Sequence, residues 1–154
     1  MHAISIASHG EDDIFNKKVL APDFSLYLHA PTRSDDSMAP AGCDSFYVLS
    51  PVPNQRSGVD WEKEHDRYHE SILEHLEERL MPGLKASLGP HFAVDPRYFQ
   101  QDLRSYQGAA FGIEPVLTQS AYFRYHNHSE DVDKLFFVGA STHPGAGVPG
   151  VLCS

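Results

Sequence analysis

Apolar and polar residues follow two rhythms along this chain. Early segments alternate with a period of two, which predicts strands. HAISIAS, His2 to Ser8, alternates weakly and reads as a first strand. FSLYLHA, Phe24 to Ala30, puts Phe24, Leu26 and Leu28 on one face and Tyr27 on the other, and predicts a second. SFYVLSPV, Ser45 to Val52, predicts a third, closed by Pro51 and Pro53. Between them, EDDIFNKKVL (Glu11 to Leu20) reads as one or two helical turns, and PTRSDDSMAPAGCD as a polar loop rich in turn formers.

The rhythm then changes. From Trp61 to Leu80 apolar residues recur at helical spacing, with Tyr68, Ile72, Leu76 and Leu80 in one row. Trp61, His65, His69 and Leu73 lie beside the row, Asp60 stands at the N-cap, and Pro82 and Gly83 stop the helix. HFAVDPRYFQQDLRSYQG predicts a short strand, then a helix or turn from Asp95 and Pro96. Residues 108–134 read as loop, and LFFVG, Leu135 to Gly139, as a last strand. Strands first, one long helix, then a strand and a glycine turn make an α+β segment, or a piece of a larger α/β protein.

A chain of 154 residues fits one domain. The net charge of −9 argues against a nucleic-acid partner, which would need clustered Lys and Arg. No apolar run approaches the length of a membrane-spanning helix, and the N-terminus lacks the basic start of a signal peptide. Cys43 and Cys153 are the only cysteines; they read as free thiols of a reducing compartment.

Gly145, Gly147 and Gly150 form a G-x-G-x-x-G behind LFFVG. Such glycines let a ligand approach the backbone, and a following helix start aims N–H groups at an anion. A self-contained dinucleotide site also needs a second strand and an acidic residue further on, and the residues from Gly150 to Ser154 hold neither. The loop is therefore read as the closing edge of a site or as a tight turn. His65 and His69 stand i, i+4 on the helix near His75, but without an H-E-x-x-H order or a third ligand they read as half-buried flanks of the stripe. His126 and His128 read as surface residues; His143, inside the glycine loop, reads as a hydrogen-bonding structural residue. No nucleophile elbow is present. Tyr98, Phe99, Tyr106, Phe111, Tyr122, Phe123 and Tyr125 read as core packing, or as the wall of an apolar channel.

Four stretches together resemble the C-terminal part of bacterial- and fungal-type phytoene desaturases: DFSLYLHAP, FYVLSPVP, EPVLTQSAYFRYHN and LFFVGASTHPGAGVPGV. The last is the most specific, because the family carries V-G-A-x-T-H-P-G-A-G-x-P-G-V. The resemblance begins near Ile14 and covers almost all that follows. It implies a segment of an α/β, Rossmann-like FAD-binding flavoprotein. Residues 1–119 would be part of its substrate-binding domain, and 120–154 would include the closing strand of its FAD domain. Gly139, Ala140, Thr142, His143, Pro144, Gly145, Ala146, Gly147, Val148 and Pro149 would line the flavin. The implied enzyme is an FAD-dependent carotenoid desaturase, cytoplasmic and peripheral on a membrane, acting on the hydrophobic polyene phytoene. The resemblance designates no catalytic base in this chain and implies no metal. A sister carotenoid flavoenzyme (a diapophytoene desaturase, isomerase or oxidase) and an inactive truncated product are the alternatives. The family's N-terminal FAD fingerprint is absent from this chain, so the isolated segment is expected to be inactive.

Overall fold

The computed structural model describes residues 3–6, 20, 25–113 and 117–154. The helical turns expected between Glu11 and Leu20 lie outside these residues, Leu20 apart, as do Phe24 and Glu114 to Val116. Two compact units divide the chain, Met1–Arg97 and Tyr98–Ser154.

In the first unit the alternating segments form an antiparallel meander of β1 (Ala3–Ile6), β2 (Leu26–His29) and β3 (Tyr47–Leu49). Leu28 of β2 lies opposite Ile4 on one side and Val48 on the other. Side chains alternate across a strand, so Leu26 and Leu28 turn inward and are buried, while Tyr27 and His29 are half-buried.

The helical stripe forms α1 (Trp61–Arg79). Asp60 holds the N-cap position, but its carboxylate accepts from Lys63 Nζ at 2.6 Å instead of capping the helix N–H groups. Trp61, Tyr68 and Leu76 are buried, seven and eight residues apart on one face, while Ile72, Leu73 and Leu80 are half-buried. Burying a leucine as fully as Leu76 contributes about 1.5–3 kcal/mol, and the half-buried positions less. Trp61 and Tyr68 meet edge to face, with ring centroids 6.4 Å apart. The Tyr68 hydroxyl shares a 2.9 Å hydrogen bond with Ser50 Oγ, which ties α1 to the residue after β3. Burial pushes the Tyr68 phenol pKa up, with the Ser50 bond working against it. At the helix end the Met81 N–H donates to the Leu76 carbonyl at 2.8 Å. Gly83, at φ 84°, then turns the chain into α2 (Leu84–Ser87).

The short strand expected in HFAV does not form. Residues 91–94 are exposed, and no described strand pairs with them. The helix expected from Asp95 and Pro96 does form, as α3 (Pro96–Gln101), and Asp95 Oδ1 accepts the Arg97 N–H at 2.8 Å.

The second unit is built differently. LFFVG, expected as the closing strand, carries only isolated bridges: His128 opposite Phe136, with Tyr125 opposite Thr142 just beyond. The Phe137 N–H donates to the Asn127 carbonyl at 2.7 Å and the Ser129 N–H to the Leu135 carbonyl at 2.9 Å. These bonds close a narrow turn rather than a ladder. A strand needs a neighbour alongside it for several residues, and none of the described residues provides one. The unit ends in α4 (Val148–Leu152). Among the described residues, no helix is long and apolar enough to cross a membrane.

Candidate functional site

The residues expected to line a flavin form one continuous turn system. Gly139, at φ 123°, donates its N–H to Ser154 Oγ at 2.9 Å. Its carbonyl accepts from Thr142 twice, from the N–H at 3.1 Å and from Oγ1 at 2.9 Å. Thr142 is buried, and Asn127 Nδ2 donates to its Oγ1 at 3.3 Å. The His143 N–H donates to the Tyr125 carbonyl at 2.9 Å, and the His143–Pro144 peptide is cis. Tyr125 and Asn127 therefore hold the segment 139–144, the first by the His143 backbone and the second by the Thr142 hydroxyl. Ala140 and Pro144 are half-buried; the His143 ring, Ala146, Val148 and Pro149 are exposed.

The glycines divide by what lies against them. Gly145 is buried at φ 139°, and a Cβ there would stand 3.1 Å from Arg124 Nε. A Cβ at Gly150 would fall 2.5 Å from the Gly145 carbonyl oxygen. These two are glycines because the protein itself approaches them. Gly147, at φ 92°, would meet only Pro149 Cδ at 3.9 Å, and Gly139 would meet nothing within 4 Å. Gly139 and Gly147 are the positions that leave backbone open to a ligand. The helix start expected to aim N–H groups at an anion opens only the five-residue α4.

Arg124 was carried in the sequence only as part of the aromatic run SAYFRYHN. It is 4% exposed, and its Nη1 has no hydrogen-bond partner. The signal was a single basic residue between Phe123 and Tyr125. Core packing does not hold for those aromatic neighbours. Tyr98, Tyr106, Phe111, Tyr122, Phe123 and Tyr125 are all exposed, and Phe99 alone of the seven is half-buried. The described part of this unit buries no apolar side chain, so it has no core for them to join.

In the first unit the histidines flank the stripe as expected, with His65, His69 and His75 half-buried. His65 Nδ1 donates to Asp95 Oδ2 at 2.7 Å, and Arg97 Nη2 donates to the same oxygen at 2.7 Å. Burial acts to raise the Asp95 pKa, but the hydrogen bonds from Arg97 and His65 outweigh it and hold the carboxyl below its ordinary value. Burial, then the neighbouring His91 and His65, lower the pKa of His69. Arg97 already neutralises Asp95, so this is an ion cluster rather than a histidine poised for proton transfer. Among the described residues no group of three ligands could hold a metal. His126 and His128 are exposed, as expected, and His126 pairs with Glu130 at 2.7 Å. Cys43 and Cys153 are exposed free thiols. An open cleft of about 370 Å³ lies over the loop from Thr32 to Asp44. Its wall carries Arg33, Asp36 and a 2.7 Å Thr32–Asp44 hydrogen bond, which suits water better than a polyene.

No protein-family model matches the chain. It is 51% identical over 144 residues to a lycopene-forming phytoene desaturase of Pantoea ananas, covering 93% of itself and 29% of that protein. It is 52% identical over 145 residues to a neurosporene-forming phytoene desaturase of Cereibacter sphaeroides, covering 93% of itself and 28% of that protein. A 4,4'-diapophytoene desaturase (4,4'-diaponeurosporene-forming) of Staphylococcus aureus is 39% identical over 148 residues, 93% of this chain and 29% of that one. The chain spans less than a third of the length of these curated relatives. Over nearly all of its own length, and at about 50% identity, the chain is similar to part of these phytoene desaturases.

Proposed function

We propose that this chain is part of an FAD-dependent carotenoid desaturase that dehydrogenates phytoene. The observation that carries the reading is its identity of about 50%, over 93% of its length, to phytoene desaturases of both lycopene- and neurosporene-forming kinds. The lower identity of 39% to a diapophytoene desaturase supports phytoene over the diapo substrate.

The glycine segment fits a flavin on its open side. Gly139 and Gly147 present backbone with no Cβ in the way, while Thr142 and Asn127 brace the turn from within. Gly139, Ala140, Thr142 to Val148 and Pro149 would hold the cofactor. Bound there, FAD would supply the acceptor for the hydride that dehydrogenation removes, the companion proton leaving to a base. This chain's own part is to position the cofactor. The segment 120–154 would belong to the FAD domain and 1–119 to the substrate-binding domain. The enzyme would work in the cytoplasm, peripherally on the membrane that holds its apolar substrate.

The test is to purify the complete enzyme containing this chain and supply phytoene in vesicles with FAD. Appearance of a longer conjugated polyene is expected. Turnover of 4,4'-diapophytoene but not phytoene would move the reading to the sister enzyme. In the same protein Gly147→Val is expected to abolish flavin retention, because its φ of 92° strains a branched residue and its Cβ blocks the open backbone. A Gly147→Val enzyme that stays yellow through gel filtration would overturn the placement of the loop. The isolated 154-residue chain is expected to bind FAD weakly or not at all. A stoichiometric flavin complex of that chain would contradict this.

A further inference from the structure

The second unit encloses a cation that none of its described residues pairs. Arg124 is 96% removed from solvent, taking its exposure of 4%, and Nη1 has no partner. A guanidinium carries five N–H donors and no acceptor, so a buried Nη1 calls for an acceptor from elsewhere. Leaving it unpaired is costly, because an uncompensated buried charge is among the most destabilising features a fold can carry. Among the described residues the unit's ion pair joins His126 to Glu130 and leaves Arg124 out.

The arginine is also held in a particular place. Its side chain crosses the α-carbon of Gly145, where a Cβ would lie 3.1 Å from Nε and 3.6 Å from Cδ. Gly145 is buried against it at φ 139°, and any side chain there would push the guanidinium away. The residues on either side of Arg124 are oriented outward: Phe123 is 64% exposed and Tyr125 69%. Tyr125 meanwhile accepts the His143 N–H through its carbonyl. The backbone that carries Arg124 is thus fastened to the glycine segment, and its buried guanidinium lies against Gly145.

We propose that Arg124 is a cofactor-binding residue, whose guanidinium donates to an oxygen of the flavin dinucleotide held at the glycine segment. The inference rests on the FAD reading above and adds a residue to it. The acceptor is either a charged oxygen of the pyrophosphate, which matches the two-pronged donor geometry of a guanidinium, or a carbonyl oxygen of the flavin ring edge, whose negative charge grows on reduction. A donor buried without a partner in this chain acquires one when the cofactor arrives, and Gly145 keeps the arginine in place to meet it.

The experiment uses the complete enzyme and its Arg124→Met and Arg124→Gln variants. Flavin affinity, the flavin midpoint potential and the melting temperature with and without FAD are measured. The expected result is a rise in the FAD dissociation constant of roughly 10- to 100-fold, the range for a lost charge-assisted hydrogen bond. If the acceptor is the pyrophosphate, the potential of the remaining bound flavin stays unchanged. If it is the ring edge, the potential falls, because a cation there stabilises the reduced, more negative flavin. The apoenzyme supplies the discriminating readout. Without FAD, replacing an unpaired buried cation by Met should leave the melting temperature unchanged or raise it. With saturating FAD, the rise in melting temperature should shrink. Variants that melt lower without FAD, yet bind FAD with the wild-type constant and potential, would overturn the proposal and make Arg124 structural. If Arg124→Met does not fold, Arg124→Gln keeps polar bulk and decides by the same readouts. Failure of the wild-type enzyme to bind FAD at all would instead overturn the FAD reading, and this proposal with it.

Discussion

In the unit ending at Arg97, the residues taken out of water include Leu26, Leu28, Trp61, Tyr68 and Leu76. In the unit that follows, the buried residues among those described are Gly108, Arg124, Thr142 and Gly145. The first set is stabilised by transfer of apolar surface, the second by backbone hydrogen bonds and close approach at glycine. Meanwhile the second unit exposes Phe111, Tyr122, Phe136 and Leu152, each by more than 60%. Apolar exposure of this kind is the mark of surface that functions in contact with something else. The two units should therefore fail in opposite ways, one when atoms are removed and the other when atoms are added.

The largest effect is expected from deletion in the first unit. Leu76 is 2% exposed, and Leu76→Ala should cost about 2–5 kcal/mol in a urea melt followed by far-UV circular dichroism. A loss under 1 kcal/mol would mean that α1 is not part of a packed core.

Next is the ion cluster at Asp95. Asp95→Ala removes charge-assisted bonds from Arg97 and His65, and should cost roughly 1.5–3 kcal/mol at neutral pH. The folded carboxyl titrates below its unfolded value, so its contribution is complete above about pH 4 and disappears as the pH falls through the folded value. Stability measured from pH 7 down to pH 2 should therefore fall less steeply for Asp95→Ala than for the wild type. Parallel curves would show that the cluster contributes nothing.

The second unit should respond to the addition of one methyl group. Gly150→Ala puts a Cβ 2.5 Å from the Gly145 carbonyl oxygen, and backbone has to move to accommodate it. A destabilisation of roughly 1–3 kcal/mol is expected, read as faster amide exchange over residues 139–154. Unchanged exchange there would show that the two glycines are not in contact. Deletion in the same unit should do least: Leu152, 79% exposed, should tolerate alanine within about 0.5 kcal/mol. A larger loss in that melt would reveal apolar packing in a unit whose described residues bury none.

Much of the first unit was legible along the chain because its signals are local. Alternation at Leu26 and Leu28, and the row of Tyr68, Ile72, Leu76 and Leu80, each predict a face; Leu26, Leu28, Tyr68 and Leu76 are buried, and Ile72 and Leu80 half-buried. Pro82 and Gly83 marked the helix end through backbone geometry alone. LFFVG and HFAV misled for one shared reason. An apolar run states that a segment can be a strand, but pairing depends on a neighbour that the run does not encode. The aromatic residues between Tyr98 and Tyr125 misled similarly, since composition cannot say whether a ring has a core to enter.

By itself the sequence determined the likeness to phytoene desaturases, through the motif from Leu135 to Val151 and a match over 93% of the chain. It also determined where ligand-compatible backbone would stand, because only glycine permits the conformations at Gly139, Gly145 and Gly147. Only the tertiary structure decided which of those glycines are occupied by the protein. Gly145 and Gly150 are filled by Arg124 and by each other, while Gly139 and Gly147 remain open. Only the tertiary structure, too, distinguished Arg124 from an ordinary loop arginine. Burial and the lack of a partner are properties of what surrounds a side chain in space, and neighbours in space are not written in the order of the residues.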